Sequence, residues 1–256
     1  MKEKLTVVKV GGKIVEEPSA LARLLTDFSA LPGLKVLVHG GGRTATDMAA
    51  RLGIATQMVG GRRVTDAETL RVVTMVYAGL VNKNVVAGLQ AHGVNALGLT
   101  GADMDVIRSH RRVSGEVDYG FVGDVDRVDA DMLAMLLGAG VVPVMAPLTH
   151  DGCGSLLNTN ADTIAGETAK ALAMRFDVTL FYCFEHAGVL SDPADEASVI
   201  PRITRENFAR LAADGTVSGG MLPKIENSLQ AVEAGVGRVI ITRADALGQS
   251  AGTQIG

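Results

Sequence analysis

Two lysines occupy positions where the local pattern predicts something else. Lys9 lies in the run Leu5-Thr6-Val7-Val8-Lys9-Val10, on the same strand face as Leu5 and Val7, so an amine sits where alternation predicts an apolar side chain. Lys224 follows Ser218-Gly219-Gly220-Met221-Leu222-Pro223. With Pro223 read as the first helical residue, that amine falls in a first helical turn, against the helix dipole. An anion between the amine and the helix start would relieve the conflict. Each lysine alone also reads as a snorkelling or solvated side chain.

Glycine clusters follow predicted strands at Val10-Gly11-Gly12, at His39-Gly40-Gly41-Gly42 and at Leu99-Thr100-Gly101, the strand ends where open α/β sheets place ligands. Successive glycines let backbone N–H groups converge on an anion, and two such loops can cradle two phosphates. The plainer reading is a tight strand-to-helix turn. Asn158-Thr159-Asn160-Ala161-Asp162 opens a helical stretch to about Ala173. Asn160 or Asp162 can be its cap, whereas Asn158 precedes the helix and needs another role. An amide and a carboxylate there suit a substrate ligand and an organiser of lysines. Gly60-Gly61-Arg62-Arg63-Val64-Thr65 sets arginines just before a long helix, where a guanidinium fork can hold a carboxylate bidentately. The P-loop pattern is absent. Gly40-x-Gly42-x-x-Ala45 matches a dinucleotide fingerprint, but Asp66 and Glu68 stand at a helix start instead of ending a second strand, so a nicotinamide enzyme is set aside.

The elements that must position these groups alternate as β and α. Strands are predicted at Leu5–Val10, Lys35–Val38, Val94–Leu99, Val141–Ala146, Val178–Tyr182 and Arg238–Thr242, with helices near Pro18–Phe28 and Arg43–Leu52. The longest helical pattern runs over Asp66–His92, with Thr65 as cap, Glu68 as its box partner and Gly93 as its end. Its stripe of Leu70, Val73, Val76, Tyr77 and Leu80 serves either the core alone or a subunit contact as well. Residues Asp103–Gly123 break the rhythm and read as a hairpin over one end of the sheet. No linker divides the chain, so two halves meeting near Phe176 are expected to share one sheet.

Composition narrows the classes. With 24 Lys+Arg against 28 Asp+Glu the net charge is −4, which lacks the basic excess of a nonspecific nucleic-acid binder. At 47% hydrophobic and 20% charged, the chain of 256 residues can bury a large core and is not disordered. Aromatics at 4% and 31 glycines favour α/β over all-β. Cys153 and Cys183 match neither a zinc site nor a redox motif and read as reduced packing residues. The first apolar run is broken by Lys9, and no segment is read as the roughly 18 uncharged apolar residues of a membrane span, so a cytoplasmic protein is expected.

The ordered set of KVGG at 9–12, HGGG at 39–42, GRRVTD at 61–66, LNTNAD at 157–162, GGMLPK at 219–224 and GTQI at 252–255 resembles the amino-acid kinase superfamily and, within it, the acetylglutamate kinase family. The resemblance covers essentially the whole chain. It implies an αβα three-layer sandwich with a mainly parallel central sheet, residues 1–175 binding the acylglutamate and making the subunit contact, and residues 176–256 binding ATP. It implies transfer of the γ-phosphoryl group to the side-chain carboxylate of N-acetyl-L-glutamate. Lys9 and Lys224 would flank the moving phosphoryl group and Asp162 would hold both amines. Gly11, Gly12, Gly41 and Gly42 would donate N–H groups, and Arg63 with Asn158 would grip the substrate α-carboxylate. Mg²⁺ would arrive with ATP on phosphate oxygens and water, with no metal ligand from the chain. His39 would support its loop.

The chain departs from the family at Phe184-Glu185-His186-Ala187-Gly188, where a Ser/Thr-Asp-Val-x-Gly stretch is usual; Glu185 and Gly188 are carried over as nucleotide-lobe residues. Lys9 stands too near the start for the extra N-terminal helix of arginine-inhibited hexamers, so a homodimer without arginine feedback is expected. The acyl group stays open between acetyl and a larger charged group such as succinyl. Arg62, Arg108, Arg111 and Arg112 read either as a solvated basic patch or as groups reaching a second carboxylate. The rivals are another acceptor within the superfamily and a catalytically silent nucleotide sensor.

Overall fold

The structure, a computed structural model, describes residues 2–115, 117–249 and 251–256. In chain order the first strands are β1 (Lys4–Val10), β2 (Leu34–His39), β3 (Met58–Val59), β4 (Arg62–Arg63), β5 (Ala96–Leu99), β6 (Ile107–Arg111) and β7 (Gly123–Val128). They are followed by β8 (Val142–Met145), β9 (Leu148–His150), β10 (Leu156–Asn158), β11 (Asp177–Phe184), β12 (Arg202–Ile203), β13 (Arg238–Arg243) and β14 (Thr253–Ile255). Eight of them form one sheet in the order β12-β14-β13-β11-β1-β2-β8-β5. Every pair in it is parallel except β13 with β14. β1 and β11 sit side by side at its centre, so the sheet runs unbroken across the position near Phe176.

Alternation along β1 divides the core. Leu5 and Val7 pack with Ile164, Ala165, Ala169 and Ile225 of the helices Ala161–Ala173 and Met221–Glu233. Val8 and Val10 face the other way, against Leu24, Phe28, Val73 and Leu89 of the helices on the opposite face. The result is the expected αβα sandwich, stabilised by about 1.5–3 kcal/mol for each fully buried aliphatic side chain. Lys9 shares the face of Leu5 and Val7 and therefore points at the start of the Ala161–Ala173 helix.

The long helix spans Ala67–Ala91 and is long and apolar enough to cross a membrane by length and composition, but Arg71 and Lys83 interrupt it, so it holds no run of 18 uncharged residues. Its residues Val72, Val73, Val76, Val85 and Leu89 are buried in the core, which accounts for that composition. Its cap is Asp66, whose Oδ1 accepts from Thr69 N at 2.7 Å, and not Thr65. The Thr65 hydroxyl is committed elsewhere, donating to Arg63 O at 2.8 Å. Thr74–Val81 is wound as a π-helix, which the 3.6-residue pattern does not foretell. Of the expected stripe, Leu80 is exposed and Met75 beside it is exposed as well.

The irregular Asp103–Gly123 region forms the β6/β7 hairpin, whose second strand continues to Val128 and joins a separate sheet in the order β10-β9-β6-β7. Cys183 is buried in the core, whereas Cys153 is exposed in the turn after Asp151 and is no packing residue. The helix bearing Lys224 begins at Met221, two residues before Pro223, whose missing N–H falls among those that a first turn leaves unbonded anyway.

Candidate active site

Because β1 and β2 are parallel neighbours, their C-terminal ends carry the two glycine loops into contact. Gly40 N donates to Val10 O at 3.0 Å and Gly11 N to Cys183 O at 3.1 Å. A Cβ on Gly12 would stand 3.2 Å from Gly41 N, and Gly41 itself has φ +152°, a backbone conformation that side chains disfavour. Among the described residues the amides of Gly12, Gly41 and Gly42 have no protein acceptor, so they form a concave cluster of donors suited to anionic oxygens. The π-helical turn places Tyr77 and Val81 against Gly41, 3.3 Å and 3.2 Å from where its Cβ would be. Glu16 fastens the second loop. Its Oε1 accepts from Thr44 N at 2.8 Å and its Oε2 from Arg43 Nε at 2.8 Å. Sequence reasoning passed over Glu16, whose partners lie 27 and 28 residues away with no spacing rule to link them.

Asn160, not Asp162, caps the Ala161–Ala173 helix, accepting from Asp162 N at 2.8 Å and Thr163 N at 3.2 Å. The Asp162 carboxylate is thereby left for the lysines. Lys9 Nζ lies 2.6 Å from its Oδ1 and Lys224 Nζ 3.6 Å from its Oδ2. Burial pushes this carboxyl up, but the two ammonium groups outweigh burial and hold it below the ordinary aspartate range. Burial pushes Lys224 down, only partly countered by Asp162. Two cations around one anion leave a net positive charge, partly removed from water, at the edge of the glycine loops. The Phe184 ring lies under Lys224, its centroid 4.7 Å from Nζ.

Arg63 is buried on β4, beyond a β3/β4 hairpin turned by Gly60 at φ +55° and Gly61 at φ +75°, the signs a two-residue hairpin turn requires. Its guanidinium donates to Gly42 O at 2.7 Å, Thr46 Oγ1 at 2.9 Å and Thr56 Oγ1 at 3.2 Å. Asn158 Nδ2 donates to Thr65 Oγ1 at 2.9 Å. Arg63, Asn158, Gly41 and Gly42 line one cleft with Arg62 and Tyr77. His39 lies beneath the second loop, with Nδ1 2.8 Å from Gly40 O and Nε2 3.1 Å from Asn82 Nδ2. Burial lowers its pKa to about 4, so the ring is neutral near pH 7, with Nδ1–H donating and Nε2 accepting.

The structure brings together Lys9, Lys224, Asp162, Gly11, Gly12, Gly41, Gly42, Arg63 and Asn158. Glu185 and Gly188 diverge from each other. Glu185 pairs with Lys13 at 2.7 Å and lines a depression with Arg23 and Arg243. Gly188 lines a small cleft with Val217, Ser218 and Met221, beside the first turn of the Lys224 helix. Among the described residues no three His, Cys, Asp or Glu side chains converge as a metal site.

The family model described as "Amino acid kinase family" matches residues 4–243. The chain is 69% identical over 255 residues to an acetylglutamate kinase of Bacteroides thetaiotaomicron, covering 100% of this chain and 99% of that one. It is 45% identical over 253 residues to an acetylglutamate kinase of Methanopyrus kandleri, covering 97% and 99%. Among solved structures, N-acetylglutamate synthase from Neisseria gonorrhoeae, complexed with coenzyme A and N-acetyl-glutamate, superposes with a TM-score of 0.84 at 24% identity, over 98% of this chain and 59% of that one. That likeness speaks for the fold alone. The protein smu.665 from Streptococcus mutans UA159 gives 0.81 at 29% identity, with 98% of each chain covered. Sequence, fold and the assembled lysine-aspartate-glycine centre agree, and the chain belongs to the amino acid kinase family and, within it, to the acetylglutamate kinases.

Proposed function

We propose that this chain is an ATP-dependent kinase that phosphorylates the side-chain carboxylate of N-acetyl-L-glutamate, a step of arginine biosynthesis. The observation that carries the reading is Asp162 set between Lys9 and Lys224 beside two facing glycine loops. Phosphoryl transfer asks a protein mainly for alignment and charge stabilisation, and this centre is built of those. One oxygen of the acceptor carboxylate attacks the γ-phosphorus, the bond to the β,γ-bridging oxygen breaks, and ADP leaves with that electron pair. No proton moves, because a carboxylate of pKa about 4.3 is already ionised near pH 7. The absence of a catalytic histidine follows, and neutral, buried His39 is left to support its loop.

Lys9 and Lys224 offset the charge on the transferring group from two sides, and Asp162 keeps both amines in place. The amides of Gly12, Gly41 and Gly42 serve phosphate and acceptor oxygens; that of Gly11, expected to join them, is engaged by Cys183 O. Arg63, already oriented by three neutral oxygens, takes the α-carboxylate with Asn158. Residues 1–175 hold the acceptor and residues 176–256 the nucleotide, with Gly188, Val217 and Met221 toward the nucleoside. Mg²⁺ fits as a companion of ATP, neutralising phosphate oxygens, since both oxygens of Asp162 already face lysines and offer it no free ligand.

The exposed Met75 and Leu80 on the Ala67–Ala91 helix support pairing of two copies into a homodimer, which light scattering tests. A cytoplasmic location suits an enzyme that draws on ATP. The function is tested by ADP release with Mg-ATP on N-acylated and free L-glutamate. Turnover of an N-acylglutamate is the expected result, and turnover of only a different acceptor would overturn it.

A further inference from the structure

Strand alternation places Phe184 at the phosphoryl centre. Lys9 on β1 is in register with Tyr182 on β11, and Phe184 lies two residues beyond Tyr182, on the same face of the sheet. Both aromatic side chains serve the groups around Asp162. The Tyr182 hydroxyl donates to Asp162 O at 3.1 Å, and the Phe184 ring, packed against the core, has the Lys224 ammonium 4.7 Å from its centroid. That separation lies within the roughly 6 Å at which the negative face of an aromatic ring attracts a cation.

Lys224 needs that attraction more than Lys9 does. Lys9 Nζ is 2.6 Å from Asp162 Oδ1, whereas Lys224 Nζ stands 3.6 Å from Oδ2, beyond the about 2.7–2.9 Å of a charge-assisted hydrogen bond. The charged groups that face Lys224 are Asp162 of the Ala161–Ala173 helix and Lys9 of β1. Burial and the Lys9 charge both disfavour its ammonium form. The amine also sits in the first turn of the Met221–Glu233 helix, where the dipole is positive and Gly220 brings no side-chain cap. Other charged groups on the adjoining elements are engaged elsewhere, Glu185 with Lys13, Glu226 with Arg205 and His186 with Glu196. Among the described residues, Asp162 and the Phe184 ring are what hold the Lys224 amine.

We infer that Phe184 is a positioning residue for phosphoryl transfer: the face of its ring seats the Lys224 ammonium beside Asp162, where the amine meets the transferring group. The inference rests on the proposed function and gives a role to a side chain at which this chain departs from the usual stretch of its family. A ring suits that role, because it stabilises a cation without neutralising it and leaves the full charge of Lys224 to the phosphate oxygens. A second carboxylate in its place would cancel that charge and repel the phosphate.

The test replaces Phe184 by phenylalanines bearing one, two and three ring fluorines, which drain the negative face in steps while leaving the shape of the side chain nearly unchanged. Two quantities are read at each step. One is the alkaline pKa of kcat/KM for N-acetyl-L-glutamate with Mg-ATP; the other is the pKa of the Lys224 amine, from the pH dependence of its labelling by acetic anhydride, followed on the Lys224 peptide by mass spectrometry. Weakening the ring's attraction favours the neutral amine, so both values are expected to fall with each fluorine, by about one pH unit over the series. Phe184→Leu, which removes the ring, is expected to lower kcat about two- to thirtyfold. Values that stay flat across the fluorinated series would show that the ring only packs and would overturn the inference, and so would a labelling pKa that moves while the kinetic limb stays fixed. The fluorinated side chains keep the test decisive if the Phe184→Leu chain fails to fold. Absence of turnover by the unaltered enzyme on every N-acylglutamate would instead remove the functional reading, while labelling still reports on the ring.

Discussion

Lys9 and Lys224 share a protein carboxylate, whereas among the described residues Arg62 and Arg63 make no ion pair. At the phosphoryl centre Asp162 lies within 2.6 Å and 3.6 Å of the two amines, so much of the cost of holding two cations out of water is met before any substrate arrives. In the acyl cleft Arg63 is oriented by a backbone carbonyl and two hydroxyls, which fix its direction but do not neutralise it. The contrast fits the two tasks of the proposed function, in which charge that meets a transition state is held rigid by an internal counter-ion and charge that recognises a substrate is left for the substrate's own anion to neutralise.

The strongest way to break this comparison is to remove the counter-ion. Asp162→Ala leaves two ammonium groups partly buried and unpaired, and a destabilisation of about 3–5 kcal/mol with a fall in kcat beyond about a thousandfold is expected. Chemical denaturation and ADP release measure the two; kcat within tenfold of the parent would mean that the centre is not where transfer occurs. The folded pKa of Asp162 is lowered, so its contribution to stability is complete above the ordinary value of 3.8 and is lost as pH falls through the folded value. Asp162→Asn should therefore flatten that part of the acid limb.

Lys9→Ala and Lys224→Ala come next, each costing about a hundred- to a thousandfold in kcat. A silent nucleotide sensor would instead lose only affinity, visible by calorimetry with ATP. Because burial depresses Lys224, its proton is lost below the ordinary 10.5, and the alkaline limb of kcat/KM in the parent enzyme should fall below that pH. A limb at or above 10.5 would detach Lys224 from the rate.

Arg63→Ala sharpens the other half of the comparison. Loss of a recognition charge should raise the KM for the acylglutamate about ten- to a hundredfold with a smaller change in kcat, as steady-state kinetics would separate. The smallest effect is expected from Glu185→Gln. Its pair with Lys13 is exposed, so kcat and the KM for ATP should change by less than about twofold. A larger rise in the KM for ATP would return Glu185 to the nucleotide site.

Much of the layer architecture was legible because it rests on local pattern. The runs at Leu5–Val10 and Val178–Tyr182 are apolar enough to be central parallel strands, and both lie at the middle of the sheet. Lys9 stood out against strand alternation, and Asn160 and Asp162 could be named as cap and organiser, though not told apart. The remainder depended on partners distant in sequence. Thr65 looked like a cap until Arg63 O and Asn158 claimed its hydroxyl. Apolar periodicity called the Ala67–Ala91 helix regular, and only the approach of Tyr77 and Val81 to Gly41 shows what its π-helical turn accommodates.

Residue types and their order alone determined a layered α/β chain with two glycine loops, two misplaced lysines and a carboxylate near a helix start. Periodicity, turn chemistry and charge act over a few residues and can be read in one dimension. Tertiary structure decided which of those groups meet. It put Asp162 between lysines 215 residues apart in number, paired Glu185 with Lys13, and gave Arg108, Arg111 and Arg112 their partners while leaving Arg62 Nη1 without one among the described residues. Such pairings depend on distance and burial in three dimensions, where one ångström or one competing carboxylate changes the balance, and no local rule carries that information.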